Sequence, residues 1–240
     1  MEDHENLYDK IKEIFGVIPG NFNIMEDTID VDLQIEYFEF SKKMSLEFDE
    51  SWAISQLPVL DDPDAPTGSK KQVLARLATM NDVSAYRTIE SYLQNPDPEL
   101  KEWGILALHE SRMNLESHLL EENQIFISTG LGGRADKLRY FVALIARNRE
   151  KLSEVQMKII KNEFSEVLKK YDAELEEVKN SGYLATFLLL LPIHHPVKKV
   201  FSEGIDECNH YGDFLRDTCI VTNVKSLSFK EIEDFIERKK

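Results

Sequence analysis

The stretch Tyr183–Ile193, YLATFLLLLPI, is the longest uncharged apolar run in the chain and the strongest single indication of its fold. Its length is about half of the roughly 20 residues that a membrane-spanning helix requires. A short apolar run of this kind, bounded by turn signals, is typical of a buried β-strand. We therefore expect an interior strand of a sheet here, and no insertion of the protein into a membrane.

The segments around this strand alternate between strand and helix patterns. Short β-type runs occur at NQIFIS and KLRYFVALIA, a long amphipathic helix is predicted over residues 152–182, a second helix over 196–210, a strand over 215–222 and a closing helix from Ser228. Strands separated by helices of this length are typical of α/β layers. The chain is thus expected to be of mixed α and β class, with an α/β domain over residues 121–240 and a small mixed sheet in the order ββαβαβα.

Residues 1–120 have mainly helical spacing and are expected to form a separate helical region. The apolar residues from Leu7 to Phe15 recur with helical period, whereas the stretch 28–46 fits either a helix or a strand because its apolar residues satisfy both periods. The stretch 58–70 is rich in proline and aspartate and is expected to be a loop. Three helices are predicted after it, over residues 69–80, 82–94 and 97–119.

The segment Asp97–Leu108, DPELKEWGILAL, resembles the second helix of HEAT-like (armadillo-type) repeats. Asp97 and Pro98 stand where that family opens its helix, and Gly104 stands where the family has a small residue that lets the next helix pack closely. The resemblance covers roughly residues 69–120. It implies a stacked helical surface that binds another protein, with neighbouring segments as a cap, because two repeats are too few for a free array.

The composition predicts an acidic protein of the cytoplasm. The chain has 44 acidic and 29 basic side chains and a formal charge of −15. A negative charge repels phosphate backbones and anionic lipids, so neither nucleic acid nor a membrane is expected as a partner. Only two cysteines, Cys208 and Cys219, are present, and the start MEDHENLYDK has no basic and apolar signal segment. Both features indicate a reducing compartment.

The segment Gly130–Ala135, GLGGRA, satisfies the permissive dinucleotide-binding fingerprint G-x-G-x-x-G/A. That fingerprint requires a helix and then a second parallel strand within about 30 residues, and no such strand follows here. A hairpin loop that uses glycines at positive φ is therefore favoured, and no nucleotide cofactor is expected. The backbone of Gly132 and Gly133 with the guanidinium of Arg134 remains a candidate anion-binding nest.

The other polar residues assemble no catalytic set, so a non-enzymatic role is favoured. His109 and His118 are nine positions apart, whereas the helical zinc motif requires two histidines four apart, so no metal is expected. Trp103 and Tyr92 are expected to pack within the helical region. The alternative is that either aromatic ring is exposed and anchors a partner protein.

His194 and His195 directly follow the buried strand 183–193 and precede a helix opened by Pro196. Ligands in open α/β sheets tend to bind beyond the carboxyl ends of the strands. We therefore expect that, if the domain has a ligand site, His194 or His195 lines it. The favoured function is a protein-interaction or scaffold role for the HEAT-like surface. The alternative is a small-molecule-binding or hydrolytic α/β domain with its site at these two histidines.

Overall fold

The computed structural model describes residues 22–46, 50–122 and 124–238, and the predicted helix over Leu7–Phe15 lies outside them. Contacts between residues divide the chain into two units. The helical unit contains residues 29–126 together with Phe22 and Asn23, and the sheet unit contains residues 24–28 and 127–238 among those described. The boundaries drawn from the sequence, 1–120 and 121–240, stay a prediction.

The helical unit consists of helices joined by short turns. Its elements are α1 Val31–Leu46, α2 Glu50–Ser55, α3 Pro58–Asp61, α4 Thr67–Ala78, α5 Val83–Tyr92 and α6 Lys101–Leu120, with a 3₁₀ turn over Pro98–Leu100 before α6. The stretch 28–46 is thus helical. The side chain of Asp82 starts α5 by accepting hydrogen bonds from the backbone N–H groups of Ser84 and Ala85. Part of the predicted loop forms α3. Proline is tolerated at its first position, Pro58, because the backbone N–H that proline lacks would have no hydrogen-bond partner within the helix there.

The core of the helical unit forms around Trp103 of α6, which is 1% exposed. The rings of Tyr37 and Phe40 in α1 pack edge-to-face with the ring of Trp103, with ring centroids 5.0 and 5.4 Å from its centroid. The Nζ atom of Lys71 in α4 lies 4.1 Å from the same ring, close enough for a cation–π interaction. These contacts join α1, α4 and α6. They do not confirm the HEAT-like arrangement, which stays a prediction from the sequence.

The sheet unit is built on an antiparallel sheet. Its strands are β3 Gly133–Arg134, β4 Lys137–Ile145, β5 Glu174–Ser181, β6 Leu184–Pro192 and β7 Ile220–Thr222, and its helices are α7 Glu154–Lys170, α8 Val197–Asn209 and α9 Phe229–Arg238. The strand order is β3–β4–β6–β5, and β7 also pairs with β4. Two further strands, β1 Phe22–Ile24 and β2 Ile125–Ile127, pair with each other. The prediction of a mixed sheet is therefore wrong, because every pair in the five-stranded sheet is antiparallel.

The buried strand expected at YLATFLLLLPI is β6, and its longest partner is β4. The two strands pair without interruption from Lys137 opposite Pro192 to Ile145 opposite Leu184. On one face of the sheet, Phe187 contacts Phe164 of α7 with the ring centroids 4.9 Å apart. The other face packs under α9 in a cluster of Leu131, Phe141, Ala143, Ile145, Leu184, Ile232 and Ile236. Both faces of the central pair are therefore covered by helices.

The single helix predicted over residues 152–182 is wrong in its second half. Helix α7 ends at Lys170, and β5 begins four residues later as an edge strand that pairs only with β6. The turn between them places Asp172 at φ 51° and lets the N–H of Ala173 donate to the carbonyl of Leu168. The sequence of β5, ELEEVKNS, has a half-buried residue only at Leu175 and Val178. A spacing of three residues is that of a helix face, and it occurs in this strand because a β-bulge shifts the register between Leu175 and Glu177. The period therefore does not reveal the change.

In the part of the chain that the structure describes, no helix combines the length and the apolarity needed to cross a membrane.

Substitution of two glycines by alanine tests the packing, because one substitution should lower the free energy of unfolding and the other should raise it. A Cβ at Gly204 in α8 would lie 2.6 Å from Cε1 of Phe164, whereas a Cβ at Gly68 in α4 would meet nothing within 4 Å. We expect Gly204→Ala to lower the free energy of unfolding by about 1–3 kcal/mol through overpacking. Gly68→Ala should raise it by about 0.5–1 kcal/mol because alanine favours the helix. Urea unfolding measures both, and a loss of stability in both variants would contradict this packing.

A buried carboxylate in the helical unit should make stability depend on pH. Glu110 accepts hydrogen bonds from Tyr37 Oη at 2.5 Å and Ser41 Oγ at 2.7 Å, and burial raises the pKa of Glu110 above its ordinary value. A raised folded-state pKa stabilises the fold below the unfolded pKa, about 4.3, and that contribution is lost as pH rises through the folded pKa. We expect Glu110→Gln to gain stability relative to the wild type as pH increases across this interval, in urea unfolding followed at several pH values. A constant difference between the two proteins would contradict the raised pKa.

Candidate functional site

Polar residues from three elements meet at one corner of the sheet unit, where β4 begins, β6 ends and α8 begins. Lys137, the first residue of β4, pairs with Pro192, and the N–H of Ile193 donates to the carbonyl of Asp136 at 3.0 Å. This pairing places the β3–β4 hairpin beside the segment 193–196. We call the set Lys137, Tyr171, His194, His195, Lys198 and Lys199 the histidine corner.

The two imidazoles of the histidine corner lie against each other. Their ring centroids are 4.1 Å apart, and the ring of Tyr171 meets His195 edge-on at 5.1 Å. Burial lowers the pKa of His195, and the neighbouring His194 lowers it further. The neutral form of His195, which can both donate and accept a hydrogen bond, is therefore favoured over the charged form. His194 is exposed.

The carboxylates near the corner are mostly engaged by neighbouring cations. Lys137 Nζ lies 2.9 Å from Glu174 and 3.1 Å from Asp172, and Glu174 also pairs with Arg134. The hydrogen bond from Lys137 holds the pKa of Glu174 below its ordinary value. Asp136, in the hairpin turn, is the exception, since the described residues give its carboxylate no ion-pair partner.

The carboxylate of Glu203 in α8 is bound by two residues at the end of α7. Lys170 Nζ lies 2.8 Å from its carboxylate, and Tyr171 Oη donates to the other oxygen at 2.6 Å. These two hydrogen bonds lower the pKa of Glu203. The negative charge of Glu203, the first acidic residue of α8, is therefore already compensated by Lys170.

Two exposed cations stand at the beginning of α8. Lys198 and Lys199 lie in its first turn, which contains no acidic side chain, and Pro196 at the N-cap provides no side-chain hydrogen bond. Within the described ranges, neither Lys198 nor Lys199 forms an ion pair, and the charge of Lys199 contributes to the lowered pKa of Glu203. The amino end of a helix carries a partial positive charge. The start of α8 is thus a locally cationic surface.

The glycine segment is part of the β3–β4 hairpin, whose turn is Ala135–Asp136. Gly132 has φ 65°, and a Cβ there would lie 2.5 Å from the carbonyl oxygen of Glu26. Its N–H donates to the carbonyl of Thr129 at 3.1 Å, and Gly133 pairs with Leu138 in the ladder. The two glycines are therefore accounted for by close backbone packing. The side chain of Arg134 approaches the histidine corner only through its pair with Glu174.

The other candidate residues lie in the helical unit and line no shared site. Trp103 is 1% exposed and donates from Nε1 to the carbonyl of Lys71 at 3.3 Å. Tyr92 Oη donates to Asp97 at 2.7 Å. Trp103 is thus buried and Tyr92 is half-buried, and the packing role favoured for both over a surface anchor stays a prediction.

Several residues of the corner were not singled out from the sequence. Lys198 and Lys199 are adjacent to the two histidines in HHPVKK and could have been noticed there. Lys137 and Tyr171 reach the corner through the pairing of β4 with β6 and through the end of α7. No sequence period encodes those contacts.

No known protein family matches the chain, and no curated protein matches it. Solved structures similar to it include two transposases. One is a candidate transposase from Deinococcus radiodurans R1, at 17% identity and a TM-score of 0.37, over 45% of this chain and 94% of that one. The other is a REP-associated tyrosine transposase bound to a REP hairpin, at 12% identity and a TM-score of 0.33, over 43% of this chain and 63% of that one.

This finding corrects the function expected from the sequence. The similar solved structures are transposases, not HEAT-like scaffolds, so the scaffold role with another protein as partner is not retained. The alternative of a small-molecule-binding or hydrolytic domain is not retained either. The exclusion of nucleic acid is corrected as well: one of these transposases is bound to a REP hairpin, and the total charge on which the exclusion rests is not evenly distributed along this chain.

The expectation that nucleic acid is no partner rested on the total charge of the chain, and this charge is unevenly distributed along the sequence. Residues 1–126 contain 26 acidic and 10 basic side chains, a net −16, whereas residues 127–240 contain 18 acidic and 19 basic ones, a net +1. Salt screens charges beyond a Debye length of about 10 Å at 0.1 M. The local charge of a surface therefore decides which ligands it repels, and the total charge of −15 does not describe the sheet unit.

The contacts of His195 predict its titration. Since burial and the neighbouring His194 lower its pKa, we expect His195 to titrate below about 6.5 in an NMR pH series, and His194→Gln to raise that pKa. His210→Gln is the matched control, because His210 follows the far end of the 13-residue helix α8, about 20 Å away at 1.5 Å per residue. A His195 pKa at or above the ordinary value, or one insensitive to His194, would contradict the described geometry.

Proposed function

We propose that the sheet unit binds the phosphate backbone of a nucleic acid at the histidine corner. The observation that carries the proposal is the pair of exposed cations, Lys198 and Lys199, at the start of a helix whose first turn has no acidic residue. Lysine side chains and helix amino ends are common phosphate contacts in nucleic-acid complexes. Neighbouring carboxylates weaken such contacts little where they are already paired, as Glu203 and Glu174 are.

The two imidazoles suit the same ligand. The neutral side chain of His195 can donate a hydrogen bond to a phosphate or sugar oxygen without carrying a charge. The exposed ring of His194 offers a face on which an unpaired base can stack. Contacts of these kinds fix a strand in place but carry little sequence information. We therefore propose binding with weak sequence preference and assign no reaction to the corner.

A cytoplasmic location belongs to the same proposal. Both cysteines are free, and Cys208 is fully buried in α8 while Cys219 is half-buried. Burial raises the pKa of Cys208 to about 12 and that of Cys219 to about 11. Unpaired, unreactive thiols of this kind are usual in a reducing compartment.

Fluorescence anisotropy with a labelled single-stranded oligonucleotide of about 20 nucleotides tests the proposal. We expect the full chain to bind at low salt, with log K falling linearly with log salt concentration. Each lost phosphate contact to a single strand reduces that slope by about 0.7. The double variant Lys198→Ala/Lys199→Ala should therefore bind more weakly and have a slope smaller by about 1.4.

Lys230→Ala is the matched control for this experiment. Lys230 is also an exposed lysine in the first turn of a helix of the sheet unit, but its helix, α9, covers the opposite face of the sheet from α7. We expect Lys230→Ala to retain wild-type affinity and slope. Absence of binding at low salt to this oligonucleotide and to a duplex of the same length, or equal effects of Lys230→Ala and the double variant, would contradict the proposal.

A further inference from the structure

Helix α7 carries a second group of cations. Lys158, Lys161 and Lys169 occur at spacings of three and eight residues, with Ser165 between the last two, so all four lie along one side of the helix. The three lysines are exposed. We call these four residues the lysine face.

The lysine face lies on the side of α7 opposite to the contact with α8. Lys161 and Lys170 are nine residues apart, which is two and a half helical turns, and their side chains therefore project in opposite directions. Lys170 is used in the pair with Glu203 of α8. The lysine face is thus left open by the packing of the two helices.

Few acidic residues oppose this positive charge. In the described part of the chain, Lys158 and Lys161 form no ion pair, while Lys169 pairs with Glu166 at 2.7 Å. Glu154 stands on the same side, at the beginning of the helix. The face therefore keeps a net positive charge, three lysines against two glutamates, which is centred on Lys158 and Lys161.

The lysine face ends two residues before the histidine corner along the chain. Helix α7 ends at Lys170, and the next residue, Tyr171, contacts His195. From Lys169 back to Lys158 the helix extends about 16 Å, at 1.5 Å per residue. A nucleic-acid strand advances about 3.4 Å per nucleotide when stacked, so this length corresponds to about five nucleotides.

We infer that one single strand of nucleic acid crosses the histidine corner and continues along the lysine face, so that the ligand is a polynucleotide segment and not a mononucleotide. This inference rests on the proposed function. It adds the path of the strand and its length. A cationic surface that follows the backbone over several nucleotides is the usual arrangement for binding single strands without sequence preference.

A length series of oligothymidylates, from about 2 to about 12 nucleotides, tests the inference on the full chain. We expect affinity to rise with length up to about seven nucleotides, about five along the lysine face and about two at the corner, and then to level off. The variant Lys158→Ala/Lys161→Ala should lower the affinity for the long oligonucleotides on the order of tenfold and reduce the salt slope by about 1.4. It should leave the affinity for the shortest oligonucleotide unchanged, because that ligand reaches only the corner.

The matched controls are Lys230→Ala, which should have no effect at any length, and Lys198→Ala/Lys199→Ala, which should weaken binding at every length. Binding that depends on Lys198 and Lys199 but neither on length nor on Lys158 and Lys161 would overturn the inference and leave the proposed function intact. Binding of duplex DNA but of no single strand would also overturn it. Absence of binding to any oligonucleotide or duplex would overturn both.

Discussion

The pairing of β4 with β6 is the constraint on which the sheet unit depends. Nine consecutive residue pairs join the two strands, and Leu189, Leu190 and Leu191 are completely buried within them. Because side chains alternate between faces, a slip of one residue would move every core side chain to the wrong side. The register thus fixes which residues meet α7 and which meet α9. It also fixes that Lys137 lies opposite Pro192, and hence that the β3–β4 hairpin lies beside the two histidines.

The elements with a strong pattern could be predicted from the sequence, and the relations between them could not. The apolar run 183–193 and the run 137–146 are strands, and the predicted helices over 69–80, 82–94 and 196–210 have helical counterparts within a few residues. The direction of the strands depends on their partners, and the run of residues does not contain that information. The edge strand β5 cannot be told from a helix by its sequence, because its two half-buried residues, Leu175 and Val178, have the spacing of a helix face.

The histidine corner illustrates the same limit. His194 and His195 were singled out through a rule for the carboxyl ends of parallel strands, and that rule does not apply to an antiparallel sheet. The structure instead brings Lys137 and Tyr171 to the two imidazoles by strand pairing and by the turn after α7. The residues that resemble a HEAT-like repeat also have local roles. Asp97 accepts hydrogen bonds from Lys70 and Tyr92, and Gly104 packs closely against Leu93.

The uneven charge of the chain is what makes a nucleic-acid ligand physically reasonable, and hydrogen exchange on the full chain tests where it binds. With a saturating single-stranded oligonucleotide present, we expect slower amide exchange in residues 194–200, which contain the two histidines and two lysines of the histidine corner, and in residues 158–170, which contain the lysine face. Exchange in residues 229–238, on the opposite face of the sheet, should be unchanged. Slower exchange confined to the acidic residues 31–120, or no change anywhere while the oligonucleotide is bound, would contradict the account.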